Sequence, residues 1–355
     1  MELFKTLVPT GHEQVLFCND QASGLKAIIA IHDSRLGAAM GATRLWPYES
    51  EVAALTDALR LSRGMTYKAA CANIPMGGGK AVIIAKPEQK TCELLQAYGR
   101  FIDRLNGRFI TGQDINLTPQ DVRQINRQTQ YVVGTQEKSG GPAPVTAIGV
   151  LLGMKAAAKY RFGSDSLDGL KVAVQGLGNV GQHLCDWLHK NGVKLFVSDI
   201  NQAKVSKVAR LYGATAVEPE QIYGLDVDIF APCAMGAILN SQTIPMIKAP
   251  IIAGSANNQL EDEQLHGEML TAKDILYCPD YVINAGGLIN VYHELIGYNE
   301  KKAIGHVHSI YDTLLELFNK AKTAEITTHE ASKQLAEERI AKAQSAQMEE
   351  MLVSA

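Results

Sequence analysis

The chain reads as an α/β protein of two domains, a mixed α/β domain followed by a doubly wound parallel sheet. Three observations predict this arrangement. At 355 residues, 46% of them hydrophobic and 20% charged, it exceeds the usual span of one core and has ordinary globular composition. Beyond residue 170, short apolar runs alternate with helix-spaced stretches, the pattern of crossover-connected parallel strands. Between the halves, Lys138-Ser139-Gly140-Gly141-Pro142-Ala143-Pro144 concentrates small and turn-forming residues, which marks a hinge or crossover and a boundary near residue 135.

In the first domain, residues 1–134, β-rich runs fall at 14–18, 25–31, 40–46, 80–85 and 108–111. Apolar residues recur every three or four positions over 51–64 and 91–106, which predicts helices. Another helix is expected around 119–128, with Asp114 as a candidate cap. The second domain, residues 135–325, opens with a helix over 145–159 and continues with strands at 171–175, 194–198, 227–230, 250–253 and 281–283. Residues 326–355, rich in Ala, Glu, Lys and Gln, predict a last helix that packs back on the first domain or sits in a subunit contact.

A net charge of -3 with interspersed signs gives no basic field for nucleic acid and no polybasic face for a membrane, so the expected partner is a small molecule. No apolar run approaches the roughly 18 residues of a membrane span. The opening Met-Glu-Leu-Phe-Lys-Thr lacks a basic segment followed by a long apolar stretch, so a cytoplasmic address is expected. The six cysteines (Cys18, Cys71, Cys92, Cys185, Cys233, Cys278) include no Cys-x-x-Cys pair, and the nine histidines form no His-Glu-x-x-His array. Reduced thiols and no metal follow.

The segment Val172-Ala173-Val174-Gln175-Gly176-Leu177-Gly178-Asn179-Val180-Gly181 places Gly-x-Gly-x-x-Gly directly after an apolar strand and at a helix opening. Gly176 permits the tight turn, Gly178 lets the backbone approach a pyrophosphate, and Gly181 allows close helix-to-strand packing. The helix N-terminus at Asn179 and Val180 faces the negative charge. The next strand ends at Asp199, near the expected spacing of about 20 residues, where a carboxylate accepts hydrogen bonds from a ribose 2'-hydroxyl and repels a 2'-phosphate. The second domain is therefore expected to be of Rossmann type, binding NAD in preference to NADP. Ala231-Pro232-Cys233-Ala234 and Gly254-Ser255-Ala256-Asn257-Asn258 follow later strands, at the carboxyl ends where open α/β sheets bind ligands. Small residues there let a nicotinamide ribose come close.

In the first domain, Gly64-Met65-Thr66-Tyr67-Lys68 and Pro75-Met76-Gly77-Gly78-Gly79-Lys80 place two lysines twelve residues apart. A phosphate loop is excluded, because Ile74 and Ala81 stand where that motif needs Gly and Ser or Thr. Lys80, among small residues just before the apolar run 81–85, is a candidate for desolvation. Burial disfavours the ammonium, and a lysine brought from about 10.4 to 7 or 8 works as a general base. Asp114, at the end of another expected strand, is its candidate proton partner.

Gly41-x-x-Arg44, the two lysine motifs, Asp114, Gly141-Pro142-x-Pro144-Val145-Thr146 and Asn284-Ala285-Gly286-Gly287 resemble the glutamate/leucine/phenylalanine/valine dehydrogenase family over nearly the whole chain. The resemblance implies oxidative deamination of an L-amino acid to the 2-oxo acid and ammonium, with hydride passing to NAD. It assigns Lys68 to the substrate α-carboxylate, Lys80 to activation of the attacking water, and Asp114 to proton transfer at the amine. Thr146, Asn258 and Ala256 are expected near the cofactor. Glutamate dehydrogenases carry a lysine just before the glycine of Gly-x-x-Arg, where this chain has Met40. A second carboxylate buried there would lack a cation at a cost of several kcal/mol, so an apolar side chain is expected. Met40, Gly41, Met65, Ala69, Ile74, Ile110, Leu288, Ile289 and Tyr292 are the candidate lining. The likeness favours an aromatic substrate, tryptophan before phenylalanine, with a branched-chain amino acid as the alternative. A non-catalytic NAD sensor is disfavoured by the presence of both lysines and Asp114. A homo-oligomer, taken as a dimer, is expected from the resemblance.

Overall fold

The computed structural model describes residues 3–134 and 140–354. Lys138, Ser139 and the expected boundary near 135 lie outside the described residues. The chain forms two compact units: Met1–Lys138 with Glu294–Ile296 and Ala336–Ala355, and Ser139–His293 with Gly297–Leu335.

The first unit contains α1 (Leu3–Thr10), β1 (Gln14–Asp20), β2 (Leu25–Asp33), β3 (Ala39–Met40), β4 (Thr43–Trp46), α2 (Glu51–Cys71), β5 (Gly77–Ile84), α3 (Cys92–Asp103), β6 (Phe109–Ile110) and α4 (Pro119–Asn126). Its sheet runs β1-β2-β5-β3-β6, with β4 continuing β3 alongside β5. β2 reads as a continuous apolar run because both its faces are covered. Ile28 and Ala30 meet Ala54, Leu55, Ala58 and Leu59 of α2. Ile29 and Ile31 share the opposite core with Leu94, Tyr98 and Ile102 of α3 and Ile125 of α4. Ser50 starts α2 by accepting the Ala53 N–H at 3.1 Å. At the other end of α2, Arg339 donates from Nη1 to the carbonyls of Ala70 and Cys71, at 3.3 and 2.6 Å.

The second unit contains α5 (Pro142–Phe162), β7 (Lys171–Gln175), α6 (Asn179–Lys190), β8 (Lys194–Ser198), α7 (Gln202–Tyr212), β9 (Thr215–Ala216), β10 (Ile229–Pro232) and β11 (Ile251–Ile252). After them come α8 (Glu263–Ala272), β12 (Leu276–Tyr277), α9 (Asp280–Ile283), α10 (Gly286–Leu295), α11 (Glu300–Val307), α12 (Ser309–Ala324) and α13 (Thr328–Ser354). The sheet is parallel in the order β12-β11-β10-β7-β8-β9, so the strand order reverses at β7. This is the two-domain α/β architecture the sequence predicts, with a Rossmann-like sheet in the second unit.

Several local expectations are corrected. Residues 281–283 are helical: the N–H groups of Val282 and Ile283 both bond to the Pro279 carbonyl, which starts α9, and the last strand is β12 instead. An apolar triplet with two β-branched residues does not distinguish a short helix from a strand. Pro142 and Pro144 lie in the first turn of α5, where proline's missing N–H does no harm, so the second half of the turn-rich segment starts a helix, and the two units divide within its first half. The glycine run before Lys80 is part of β5, and Ala231 and Pro232 are inside β10.

Candidate active site

Lys80 reaches its position through sheet register. On β5, Gly78 and Lys80 project to the same face, since side chains alternate along a strand. That face is covered by α2: a Cβ on Gly78 would stand 2.2 Å from the backbone nitrogen of Thr66. Only glycine lets helix and strand approach so closely, and α2 carries Met65, Lys68 and Ala69 over the sheet. Met40 pairs with Gly78 on one side and Ile110 on the other, so both side chains project to the α2 face as well. Met40, Ala69 and Ile74 are buried, while Met65, Lys68 and Ile110 are half-buried. The Gly41 N–H bonds to the Ile110 carbonyl at 3.0 Å and holds β3 to β6 at this point.

Asp114 does not end a strand. β6 stops at Ile110, and the following loop runs beside β4, with Thr43 N–H to Gly112 O at 2.9 Å and Leu45 N–H to Ile115 O at 3.1 Å. Nor does it cap α4; Thr118 does that, in a reciprocal pair with Asp121. Freed from both tasks, the Asp114 carboxylate accepts from Lys80 Nζ at 2.5 Å and from Arg44 Nε at 3.3 Å, both through Oδ2. Lys80 is only 6% exposed. Burial lowers its affinity for a proton, and the carboxylate of Asp114 opposes this only in part. Burial alone would raise Asp114, but Lys80 and Arg44 outweigh it and hold the carboxyl below its ordinary range. The result is a buried amine beside an ionised acid, the pairing expected where proton transfer is arranged.

In the second unit, Gly176 takes φ +100 at the end of β7, and a Cβ on Gly181 would stand 2.1 Å from the Gly176 carbonyl oxygen. A Cβ at Gly178, by contrast, would meet nothing within 4 Å. Space is thus left where a pyrophosphate would lie against the start of α6, whose cap residue offers no side-chain hydrogen bond to the first turn. Asp199 accepts from the Leu177 N–H at 2.6 Å and the Asn201 N–H at 2.8 Å, so it shapes the glycine turn as well as facing it. Cys233, next after β10, donates its N–H to Gln175 O at 2.7 Å. Ala256 is buried; Asn258 is exposed with φ +51. Asn284 steadies that loop by donating to Asn257 Oδ1 at 2.7 Å and Ser255 O at 3.1 Å. Thr146 is buried and donates to Pro142 O. Asn179 and Val180 open α6, and Ala231 and Pro232 close β10 at the switch point. These residues fit a dinucleotide. On α10, Ile289 is fully buried and Leu288 and Tyr292 half-buried, with the Tyr292 ring 5.6 Å from that of His293.

Sequence reasoning gave no role to Arg44 and missed Asp57 and Tyr48. Asp57 Oδ2 accepts from Arg44 Nη1 at 2.9 Å and from the Tyr48 hydroxyl. The available signal was helical spacing, since Asp57 lies eleven residues, about three turns, before Lys68 on α2.

Residues 12–137 match the Glu/Leu/Phe/Val dehydrogenase dimerisation domain, and residues 139–203 and 196–348 match the Glutamate/Leucine/Phenylalanine/Valine dehydrogenase domain. The chain belongs to this family and is an amino-acid dehydrogenase, an oxidoreductase. It is 68% identical over 340 residues to an L-tryptophan dehydrogenase of Nostoc punctiforme, covering 96% of each chain. It is 54% identical over 344 residues to a leucine dehydrogenase of Geobacillus stearothermophilus, covering 96% of this chain and 94% of that one. The crystal structure of L-tryptophan dehydrogenase from Nostoc punctiforme superposes with a TM-score of 0.87 at 65% identity, over 96% of this chain and 99% of that one. Among the described residues no helix is long and apolar enough to cross a membrane, and no cluster of three or more metal-binding side chains occurs.

Proposed function

We propose that the chain catalyses NAD-dependent oxidative deamination of an apolar, preferentially aromatic L-amino acid, tryptophan above phenylalanine, to the 2-oxo acid and ammonium. The observation that carries this reading is the buried Lys80 amine held 2.5 Å from Asp114 on a sheet face otherwise lined by Met40, Ile110 and Ala69. Lys68, on the helix covering that face, binds the substrate α-carboxylate. NAD, when bound, supplies the hydride acceptor and so converts the amino acid to its imine. Asp114 takes up the proton that the substrate amine releases. Lys80, as the neutral amine, removes a proton from water so that hydroxide adds to the imine carbon, and Asp114 returns a proton to the departing nitrogen. As the C–N bond breaks, the carbinolamine hydroxyl gives up its proton; overall the amino acid, NAD and water are consumed, and the 2-oxo acid, ammonium, a reduced nicotinamide and one proton released to solvent are formed.

The preference for an apolar side chain is supported by Met40, which is 2% exposed and offers no charge to a second carboxylate. Support for tryptophan is the 68% identity to an L-tryptophan dehydrogenase. NAD over NADP is supported by Asp199, whose carboxylate lies at the glycine turn. A homodimer is supported by β1, which among the described residues is an edge strand paired only with β2 and carries Phe17 56% exposed. A cytoplasmic location is supported by the six cysteines, none of which forms a disulfide among the described residues. The test mixes the purified protein with NAD and single L-amino acids while NADH absorbance is followed. Tryptophan should give the highest kcat/KM, and Lys80→Ala should abolish turnover with NAD affinity nearly unchanged. An active Lys80→Ala variant would remove the base from the mechanism.

A further inference from the structure

The catalytic couple does not stand alone in its half of the molecule. Asp114 Oδ2 is shared between Lys80 Nζ at 2.5 Å and Arg44 Nε at 3.3 Å, and Arg44 turns Nη1 to Asp57 Oδ2 at 2.9 Å. Four charged groups therefore alternate in sign along one line: Lys80, Asp114, Arg44, Asp57. The line is built by the sheet. β4 pairs with β5 so that Arg44 lies beside Val82, one strand position beyond Lys80 on the same face, and the loop after β6 is bonded to β4 on either side of Arg44. Thr43, buried beneath, shares hydrogen bonds with Tyr98 and Thr111 and fixes β4 against that loop. Tyr48 donates its hydroxyl to Asp57 and fixes the far end.

Resting on the reading of Lys80 as the base, we propose that Arg44 and Asp57 are positioning residues that set the charge of the Lys80–Asp114 couple. The guanidinium favours release of the couple's proton, and the Asp57 carboxylate moderates that push. A cation beside an ammonium makes the neutral amine easier to reach, and it holds the intervening carboxylate ionised. Asp57 acts in the opposite direction by partly neutralising Arg44. The groups facing Lys80 come from three elements: Arg44 from β4, Asp114 from the loop after β6, and Asp57 from α2. The neighbouring strand β2 sets uncharged Ala30 opposite Lys80, and Lys68 lies three turns further along α2 from Asp57. Direction agrees on both counts, since Arg44 lowers and Asp57 raises the proton affinity of the buried amine.

The proposal assigns each partner a signed effect that mere structural support would not produce. The measurement is the pH profile of kcat/KM for oxidative deamination, whose acid limb reports loss of the couple's proton in the unliganded enzyme. Because the Arg44 side chain is 21% exposed, solvent screens part of its field. Arg44→Met should move the acid limb to higher pH by about one unit, a rate about tenfold lower at a fixed pH on the limb. Arg44→Lys should restore much of the wild-type position. Asp57→Asn should move the limb to lower pH, by about half a unit. Limbs that stay at the wild-type position, or that move the same way in Arg44→Met and Asp57→Asn, overturn the proposal. If Arg44→Met fails to fold, Asp57→Asn decides alone: a downward shift supports the proposal and an unmoved limb refutes it. Lys80→Ala separates the two levels. Activity surviving in that variant defeats the site reading itself, whereas an inactive Lys80→Ala with unmoved limbs in the other variants defeats only the role of Arg44 and Asp57.

Discussion

A single methyl group added at Gly78 should separate the strand that carries Lys80 from the helix that carries Lys68. The new Cβ would stand 2.1 Å from Thr66 Oγ1 and 2.2 Å from Thr66 N, where ordinary contact begins at 3.4 Å. A hydroxyl can rotate away, but a backbone nitrogen in mid-helix cannot, so α2 and β5 must part by on the order of 1 Å. Thr66 lies two residues before Lys68, and Gly78 two before Lys80, so the displacement passes to both amines. A misplacement of about 1 Å at reacting groups lowers a rate roughly 10²-fold, and overpacking destabilises by about 1–3 kcal/mol. The assay is kcat/KM from NADH formation at saturating NAD, together with Tm from thermal unfolding. Gly305→Ala is the control: it lies exposed in α11 with nothing within 4 Å of its added Cβ. It should stabilise by about 0.5–1 kcal/mol and leave the rate alone. A Gly78→Ala enzyme with wild-type kcat/KM and Tm would show that the close approach of α2 to β5 does not hold the site.

Three further outcomes are expected. Arg339→Ala removes charge-assisted hydrogen bonds to the last carbonyls of α2 and should lower stability by about 1.5–3 kcal/mol, read by denaturant unfolding; an unchanged midpoint would mean solvent replaces the guanidinium without loss. Asp199→Asn should weaken NAD binding about tenfold, a loss of ~1.4 kcal/mol, and narrow the preference over NADP, as titration of both dinucleotides would reveal. His12 is pushed down from 6.5 to about 4, first by burial and next by His32. Between those values the unfolded chain holds a proton that the folded one lacks, so stability present above pH 6.5 is lost as the pH falls toward 4. Wild-type Tm should fall across this window more than that of His12→Gln, and equal slopes would contradict the assignment.

Much of this molecule is legible where local sequence and tertiary environment agree. The strands 171–175 and 194–198 and the glycine turn between β7 and α6 follow directly, because periodicity, glycine and Asp199 all demand the same geometry. Lys80 and Asp114 are legible as chemistry but not as placement. The triple glycine looks like a loop in isolation, and only the packing around it explains why a strand should lack side chains at 77–79: the turn at 33–37 crowds Gly77, α2 crowds Gly78 and Phe109 crowds Gly79. Arg44 and Asp57 are invisible as a pair because their meeting depends on β4 lying beside β5 under α2, a packing no local pattern encodes. Residues 281–283 fail for the opposite reason: the triplet's own preference for extended backbone yields to the turn set by Pro279 and Asp280.

The Arg339 tie has a consequence for biosynthesis. The amino-terminal unit includes residues from Ala336 onward, so a ribosome that has finished Lys138 has not yet made all of that unit. Roughly 200 further residues separate Lys138 from Arg339, a wait of roughly 10 to 40 s at about 5–20 residues per second. Throughout that interval the Cys71 carbonyl at the end of the helix bearing Lys68 lacks the guanidinium, while the carbonyls of Lys68, Ala69 and Ala70 are already met by the N–H groups of Ala72, Ile74 and Asn73. Completion of the amino-terminal unit therefore belongs to the close of translation, and a nascent chain stalled short of Arg339 would hold that unit's sheet with the end of α2 not yet tied to α13.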